Sequence, residues 1–259
     1  MKIEYKDKLV AFVDVLGFSD IVNNSHNEKI ESYYTYLESN FKDHISKTGL
    51  QYLFISDSIV ILADESKENI FELTRLLTKI QCGLLLNNIV LRGAISFGNL
   101  YINKEGNIIV GNGLIRAYNL EKQAVNPRII LDRQLISKYF KGSDDFISCF
   151  TATTKAGYKR NYVKMDADNY PYINYFHYFV EQQPTYKQGG IDKSIKLFND
   201  NYYNNIHFTK YHWLLSKLII ELEALNVFQD KFSVGKKIAS GTVEKIKQSK
   251  EWLAKLKNL

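Results

Sequence analysis

The sequence predicts an α+β fold, with a ferredoxin-like antiparallel sheet in its first part and a mainly helical extension after it. Three observations support this prediction. Apolar runs of strand type are separated by patterns of helical period, a short polar break between two runs is typical of a hairpin, and long helical patterns dominate after about residue 165. We therefore expect a first unit over residues 1–165 and an extension over residues 166–259.

The spacing of the apolar residues predicts the order of the elements. Continuous runs rich in β-branched and aromatic residues predict strands, whereas apolar residues three and four positions apart predict helices. The predicted elements are a strand at 9–15, a helix at 30–41, strands at 51–55 and 58–62, a helix at 66–86, a strand at 89–97, a hairpin at 101–110, a helix from 111 to about 124, a strand at 127–131, and helices at 191–203, 208–225 and 234–256. This order predicts a sheet with its helices on one face.

Two aspartates interrupt the strand-type runs. Asp14 lies at the end of the first predicted strand, and Asp57 lies at the tip of the predicted hairpin. A lone carboxylate among buried apolar residues is costly unless something compensates its charge. A ferredoxin-like sheet would bring the two aspartates to one pocket, where they could share a divalent cation. Because oxygen ligands without a nearby histidine favour hard cations, we expect Mg²⁺ or Mn²⁺.

Composition narrows the class of protein. The chain of 259 residues has a formal charge of +6 and a pI near 9.0, which suits a polyanionic ligand such as a nucleoside triphosphate or nucleic acid. Its two cysteines, Cys82 and Cys149, match no zinc spacing and no disulfide framework, so we expect a cytoplasmic protein. No apolar run approaches the roughly 20 residues of a membrane span. Neither a dinucleotide glycine fingerprint nor a phosphate-binding P-loop is present.

Four motifs resemble those of the class III nucleotidyl cyclases. Asp14 opens Asp-Val-Leu-Gly-Phe-Ser, which resembles the Asp-x-x-Gly-Phe-Thr/Ser loop of that family, and Asp57 centres Ser-Asp-Ser, which resembles its metal-binding hairpin. Arg92 opens Arg-Gly-Ala-Ile-Ser-Phe-Gly, which resembles the strand that follows this hairpin in the family. Gly111 opens Gly-Asn-Gly-Leu-Ile-Arg-Ala-Tyr-Asn-Leu-Glu, which resembles the family's next helix. The motifs occur in the family's order over about residues 8–131.

The variant of these motifs is most similar to the bacterial pyrimidine cyclases of Pycsar anti-phage defence, as is Lys-Tyr-His-Trp-Leu at residues 210–214. The resemblance implies that UTP, or alternatively CTP, is converted to its 3′,5′-cyclic monophosphate and pyrophosphate as a second-messenger signal. It also implies two Mg²⁺ or Mn²⁺ ions per site and a homodimer with sites at its interface. Neither a membrane nor a nucleic acid is expected as a partner.

The resemblance assigns roles to individual residues. The catalytic set is Asp14, Asp57 and Arg92, with Asp14, Val15 and Asp57 as metal ligands. The turn Leu16, Gly17, Phe18 and Ser19 is expected to bind the substrate phosphates through its backbone N–H groups, because concave turns can hold phosphate oxygens.

The positions that recognise the base differ from those of adenylate cyclases. Leu53 stands where those enzymes have a lysine, and Ile108 stands where they have an aspartate, so adenine is not the expected base. Gln51 and Tyr52 are the nearest side chains able to hydrogen-bond to a base or stack on it, and strand alternation places Gln51 on the face of Asp57.

The fourth motif also departs from the family. Ile115 and Asn119 occupy the positions of the ribose-orienting asparagine and the transition-state arginine. Arg116 and Asn119 remain substrate-binding candidates, and either Arg116 or Arg128 could replace the missing cation. Three functions therefore stay open: a metal-dependent pyrimidine nucleotide cyclase, another two-metal nucleotidyl transferase on the same fold, and a non-catalytic nucleotide-binding module.

Overall fold

The computed structural model of the protein describes residues 3–23, 27–103, 105, 108–153, 157, 159–181, 184–204, 207–232, 247 and 250–251. Its strands are β1 (Lys6–Val15), β2 (Gln51–Ile55), β3 (Ser58–Asp64), β4 (Leu91–Ile102), β5 (Ile109–Val110), β6 (Ile129–Leu131), β7 (Thr151–Thr153), β8 (Lys159–Asn161), β9 (Val163–Met165) and β10 (Pro171–Ile173). Its helices are α1 (Phe18–Asn23), α2 (Asn27–Thr48), α3 (Lys67–Leu86), α4 (Asn112–Glu121), α5 (Arg133–Tyr139), α6 (Ser143–Cys149), α7 (Phe176–Glu181), α8 (Pro184–Asp200) and α9 (Phe208–Phe232).

The main sheet has the strand order β2-β3-β1-β4-β6-β10-β9, with β5 paired to β4. β1 is antiparallel to both β3 and β4, and only the pairing of β4 with β6 is parallel among the described strands. The order of the first four strands is that of a ferredoxin-like unit. The predicted α+β fold with a mainly antiparallel sheet is therefore confirmed. The sheet continues beyond residue 165 through β10.

Both faces of the sheet are covered. Leu9, Ala11 and Val13 of β1 belong to the large core beneath α2 and α3, whereas Val10 packs with Ala117 of α4 on the opposite face. The prediction that the helices lie on one face is therefore wrong for α4. Two glycines allow this helix to lie directly on β4, since a Cβ atom at Gly98 would come within 2.9 Å of the Gly113 backbone nitrogen.

α3 follows its predicted apolar spacing. Its inward residues Ile70, Leu73, Leu77, Ile80 and Leu84 are all fully buried. The Ser66 side chain caps the helix by accepting a hydrogen bond from the Asn69 backbone N–H, which satisfies one of the free donors of the first turn. The prediction of an amphipathic helix that covers the sheet is confirmed.

The C-terminal helices pack on the sheet domain rather than apart from it. α7 and α8 contact α3, and α9 contacts both α7 and α8. The predicted helices at 191–203 and 208–225 correspond to α8 and α9, which have different boundaries, and the predicted helix at 234–256 lies mostly outside the described residues. None of the helices described is both long and apolar enough to cross a membrane.

Candidate active site

The sheet register brings the two predicted aspartates together. Asp14, near the end of β1, is paired with Ser58 of β3 on one side and with Arg92 of β4 on the other. Asp57 lies in the two-residue turn that joins β2 to β3, and its carbonyl accepts a hydrogen bond from the Val15 N–H at 3.3 Å. Asp14, Asp57 and Arg92 therefore meet at one end of the adjoining strands β3, β1 and β4.

The site holds more negative than positive charge. The Nη2 atom of Arg92 lies 3.3 Å from a carboxylate oxygen of Asp14. The Nε atom of the same guanidinium pairs with Glu121 at the end of α4. Burial raises the pKa of Asp14 to about 7, helped by the hydrogen bond and charge of Asp57 and by the charge of Glu121, and opposed by Arg92. Two carboxylates thus pair with one guanidinium, and the third, that of Asp57, lies beside Asp14, an arrangement that a bound cation would relieve.

α2 supports the turn that carries Asp57. The Tyr34 hydroxyl donates a 2.6 Å hydrogen bond to the carbonyl of Ser56, whose φ of 56° is unusual for a residue with a side chain. The neighbouring Tyr33 is 2% exposed, and its hydroxyl has no hydrogen-bond partner among the described residues. Burial raises the pKa of Tyr33, and the charges of Tyr34, Asp57 and Asp14 add to the effect. No motif in the sequence points to a role for these two tyrosines.

The turn after Asp14 supplies only part of the predicted phosphate loop. Gly17 has φ 76°, a conformation that favours glycine, and Phe18 begins α1. Leu16 is not free to donate to a phosphate, because its N–H already bonds to the Val90 carbonyl at 3.0 Å. The side chains of Leu16 and Phe18 pack on the large core, and Ser19 is exposed. Gly17, Phe18 and Ser19 are therefore the members of this turn that remain candidates for phosphate binding.

Of the two predicted base contacts, only Gln51 lies on the correct face of the sheet. Gln51 pairs with Leu62, whose side chain belongs to the α4 face, as does that of Asp14 by strand alternation. Tyr52 points to the opposite face and stacks on Phe41 of α2, with ring centroids 4.5 Å apart. The prediction that Tyr52 contacts the base is therefore wrong for this protomer, because strand alternation directs its ring into the core.

The two predicted replacement arginines are both held by carboxylates. Arg116 donates from Nε to Asp132 at 2.5 Å, and Asp132 also caps α5. Arg128 is 2% exposed and pairs with both Asp166 and Asp168. Arg128 is therefore a structural residue and not the missing cation of the site. Asn119 is exposed on the outer surface of α4, as is Ile115.

A polar cavity of about 1050 Å³ adjoins the turn after Asp14. Leu16, Gly17 and Asp20 line one side, and His207, which precedes α9, and Tyr211 from its first turn line another. Asp14 and Asp57 are not among its described lining residues. The volume is at the upper end of the roughly 300–1,000 Å³ typical of ligand pockets.

The donor set fits magnesium or manganese bound together with a substrate. Among the described residues, no three His, Cys, Asp or Glu side chains are grouped to hold a metal by themselves. Mg²⁺ in phosphoryl-transfer sites is commonly held by one or two carboxylates plus the substrate phosphates. The adjacent pair Asp14 and Asp57, with its excess negative charge, meets that requirement.

Comparisons with known proteins find similar solved structures but no related sequence family. No protein-family model matches the chain, and no curated protein matches it. The adenylyl cyclase CyaB from P. aeruginosa is 13% identical, with 67% of this chain and 95% of that chain covered and a TM-score of 0.47. A dimeric guanylyl cyclase domain from the aquatic fungus Blastocladiella emersonii is 14% identical, covering 66% and 96% with a TM-score of 0.45. The guanylate cyclase domain from Catenaria anguillulae, in complex with GTP, is 13% identical, covering 52% and 82% with a TM-score of 0.42.

Proposed function

We propose that the protein is a metal-dependent nucleotidyl cyclase that converts a pyrimidine nucleoside triphosphate to its 3′,5′-cyclic monophosphate and pyrophosphate. UTP is the favoured substrate and CTP is the alternative. The proposal rests above all on the convergence of Asp14, Asp57 and Arg92 at one end of the antiparallel sheet. The motif resemblance extends it to a cytoplasmic second-messenger role in anti-phage defence.

The chemistry assigns a task to each member of this cluster. The ribose 3′-hydroxyl loses its proton to water as its oxygen forms a bond to the α-phosphorus. The bond from the α-phosphorus to the oxygen that bridges it to the β-phosphate breaks, and pyrophosphate leaves with the electron pair. Asp14 and Asp57 would hold two Mg²⁺ or Mn²⁺ ions, with Val15 as a further ligand. When bound, such ions activate the attacking hydroxyl and stabilise the charge on the phosphates.

Arg92 would contact the triphosphate, because a guanidinium fork matches phosphate oxygens. It pairs with Asp14 and Glu121, which hold it beside the two aspartates. Gly17, Phe18 and Ser19 would contribute backbone N–H groups from the turn. Arg92 therefore has a carboxylate partner on either side.

The apolar side chains of Leu53 and Ile108 support a base other than adenine. Leu53 packs in the small core beneath α4, and Ile108 is 45% exposed at the β5 hairpin. Neither side chain can form the hydrogen bonds that distinguish adenine. Gln51 remains available to a pyrimidine on the α4 face.

The second candidate function is a non-catalytic nucleotide-binding module. The specific observation in its favour is that Ile115 and Asn119 replace the two polar residues that complete the chemistry in the resembled family. Another two-metal nucleotidyl transferase is the third candidate, since the same aspartates could serve a different acceptor.

Product analysis separates these functions. The purified protein is incubated with UTP, CTP, ATP or GTP in the presence of Mn²⁺, and products are identified by mass spectrometry. We expect a cyclic pyrimidine monophosphate and an equal amount of pyrophosphate. Linear or dinucleotide products would indicate a transferase, and unchanged substrate would indicate a binding module.

We also propose a homodimer with its sites at the interface. Two large apolar side chains on the outer side of α4, Ile115 and Tyr118, are 61% and 44% exposed. Exposed apolar surface of this kind marks a candidate interaction surface. Asn119 lies on the same outer side of α4, so this surface would bring it to the partner's site.

A charge on this surface should separate the protomers. We expect Ile115→Glu to sediment as a monomer at micromolar concentration and to lose activity, with an unchanged circular dichroism spectrum. Ile220→Glu is the matched control, because Ile220 is 50% exposed on α9 instead. A fully active monomeric wild-type protein would contradict the proposal.

A further inference from the structure

The turn that carries Asp57 has little packing of its own to hold its shape. It consists of two residues between the paired Ile55 and Ser58, and its first residue, Ser56, is exposed. The φ of Ser56 is 56°. Hairpin turns of this length favour glycine, asparagine or aspartate at a positive φ, because a Cβ atom is strained there. Serine at this position therefore carries a conformational cost that glycine would not.

Two hydrogen bonds from outside the turn hold its two carbonyl groups. The Val15 N–H at the end of β1 donates to the Asp57 carbonyl at 3.3 Å, and the Tyr34 hydroxyl of α2 donates to the Ser56 carbonyl at 2.6 Å. Burial raises the pKa of Tyr34, and the charge of Asp57 adds to the effect, so the hydroxyl keeps the proton that it donates. The turn is thus held from the sheet on one side and from α2 on the other.

The ring of Tyr34 is itself held in place by packing. It makes edge-on contacts with Tyr33 and Phe54, with ring centroids 4.9 and 5.8 Å apart. Phe54 lies on β2, two residues before Ser56, so Tyr34 packs on the strand that leads into the turn. A packed ring leaves its hydroxyl little freedom, and the hydrogen bond to Ser56 is therefore preorganised.

We propose that Tyr34 is a positioning residue for the metal site, which holds Ser56 at its positive φ and thereby keeps the Asp57 carboxylate beside Asp14. Two carboxylates can share a cation only while both are held close to the required geometry, within about 0.5 Å. Tyr34 itself would contact neither the cation nor the substrate, so its effect would pass through the backbone of the turn. The inference rests on the proposed function.

The test compares Tyr34→Phe in two backgrounds, the wild-type protein and Ser56→Gly. In the wild-type background we expect Mn²⁺ binding in the presence of 3′-deoxy-UTP to weaken about tenfold. We expect kcat for the pyrimidine triphosphate to fall by a similar factor, with little change in KM. In the Ser56→Gly background both losses should fall below about threefold, because glycine adopts a positive φ without strain.

Tyr36→Phe is the matched control. Tyr36 also lies on α2, and its hydroxyl also donates to a backbone carbonyl, that of Lys79 on α3, at 3.1 Å. Each of the variants Tyr34→Phe and Tyr36→Phe should lower the melting temperature by about 2–4 °C, the shift expected for one hydrogen bond in a chain of this size. Only Tyr34→Phe should weaken Mn²⁺ binding.

The outcomes distinguish the two proposals. A wild-type protein that cyclises a pyrimidine triphosphate, together with a Tyr34→Phe variant of unchanged Mn²⁺ affinity and kcat, would overturn the role of Tyr34 and leave the proposed function intact. An equal loss of Mn²⁺ affinity in Tyr36→Phe, or an equal effect of Tyr34→Phe in both backgrounds, would also overturn it, since the effect would then not pass through the turn. A wild-type protein that neither binds nor cyclises any pyrimidine triphosphate would overturn both.

Discussion

Replacing Asp57 with asparagine is expected to abolish cyclisation, lowering kcat by a thousandfold or more, while the fold stays intact. The side chains have nearly the same shape, but asparagine lacks the charge that would hold the cation. Metal ions in such sites contribute several kcal/mol of transition-state stabilisation, and each 1.36 kcal/mol is tenfold in rate. Steady-state rates at saturating Mn²⁺ and triphosphate measure the effect.

The stability of this variant provides an independent check. Since Asp57 contributes negative charge beside Asp14 and Glu121, its neutralisation should leave the melting temperature of the metal-free protein unchanged or higher. Asp64→Asn is the matched control at the other end of β3, because Asp64 is exposed and pairs with Lys8 far from the site. Unchanged activity in Asp57→Asn would overturn the assignment of the metal site.

Replacing Arg128 with alanine is expected to cost about 3–5 kcal/mol of unfolding free energy, the range observed when one partner of a buried ion pair is removed. Arg128 is 2% exposed and pairs with Asp166 and Asp168. Burial would raise the pKa of Asp166, but hydrogen bonds from Lys217, Ala167 and Trp213 and the charge of Arg128 keep it below its usual value. The variant would leave the buried Asp166 carboxylate short of a cation inside the protein.

Denaturant unfolding measures this loss, with Arg75→Ala as the control. Arg75 is 69% exposed and pairs with Glu72 on the surface of α3, so its removal should cost well under about 1 kcal/mol. Trp213→Phe keeps an aromatic ring at the same site but removes one hydrogen bond to Asp166, and it should cost about 1 kcal/mol. Equal stability of Arg128→Ala and wild type would show that the network does not anchor α9.

The parts of the site that depend on local pattern could be predicted from the sequence. The apolar run before Asp14 and the polar break at Asp57 each define a strand end, and a ferredoxin-like order places those ends side by side. The same alternation that places Gln51 on the α4 face directs Tyr52 into the core, so the orientation of Tyr52 could have been predicted from the strand register.

The remaining features depend on packing between distant segments. The pairing of Arg92 with Glu121 requires α4 to pack on the face of the sheet opposite α2 and α3. That packing in turn requires Gly98 and Gly113 to touch. The burial of Arg128 depends on Asp166, which lies between β9 and β10. Helical periodicity predicts that α9 exists, but it carries no information about where α9 packs on the sheet domain.

Binding of Mn²⁺ tests the central claim most directly, namely that Asp14 and Asp57 hold divalent cations together with a triphosphate. Electron paramagnetic resonance can count bound Mn²⁺ in the presence of 3′-deoxy-UTP, which lacks the attacking hydroxyl. We predict that the nucleotide supports Mn²⁺ binding in the wild type and in Asp64→Asn, and that Asp57→Asn loses it. Equal nucleotide-supported Mn²⁺ binding in Asp57→Asn and wild type would contradict the claim.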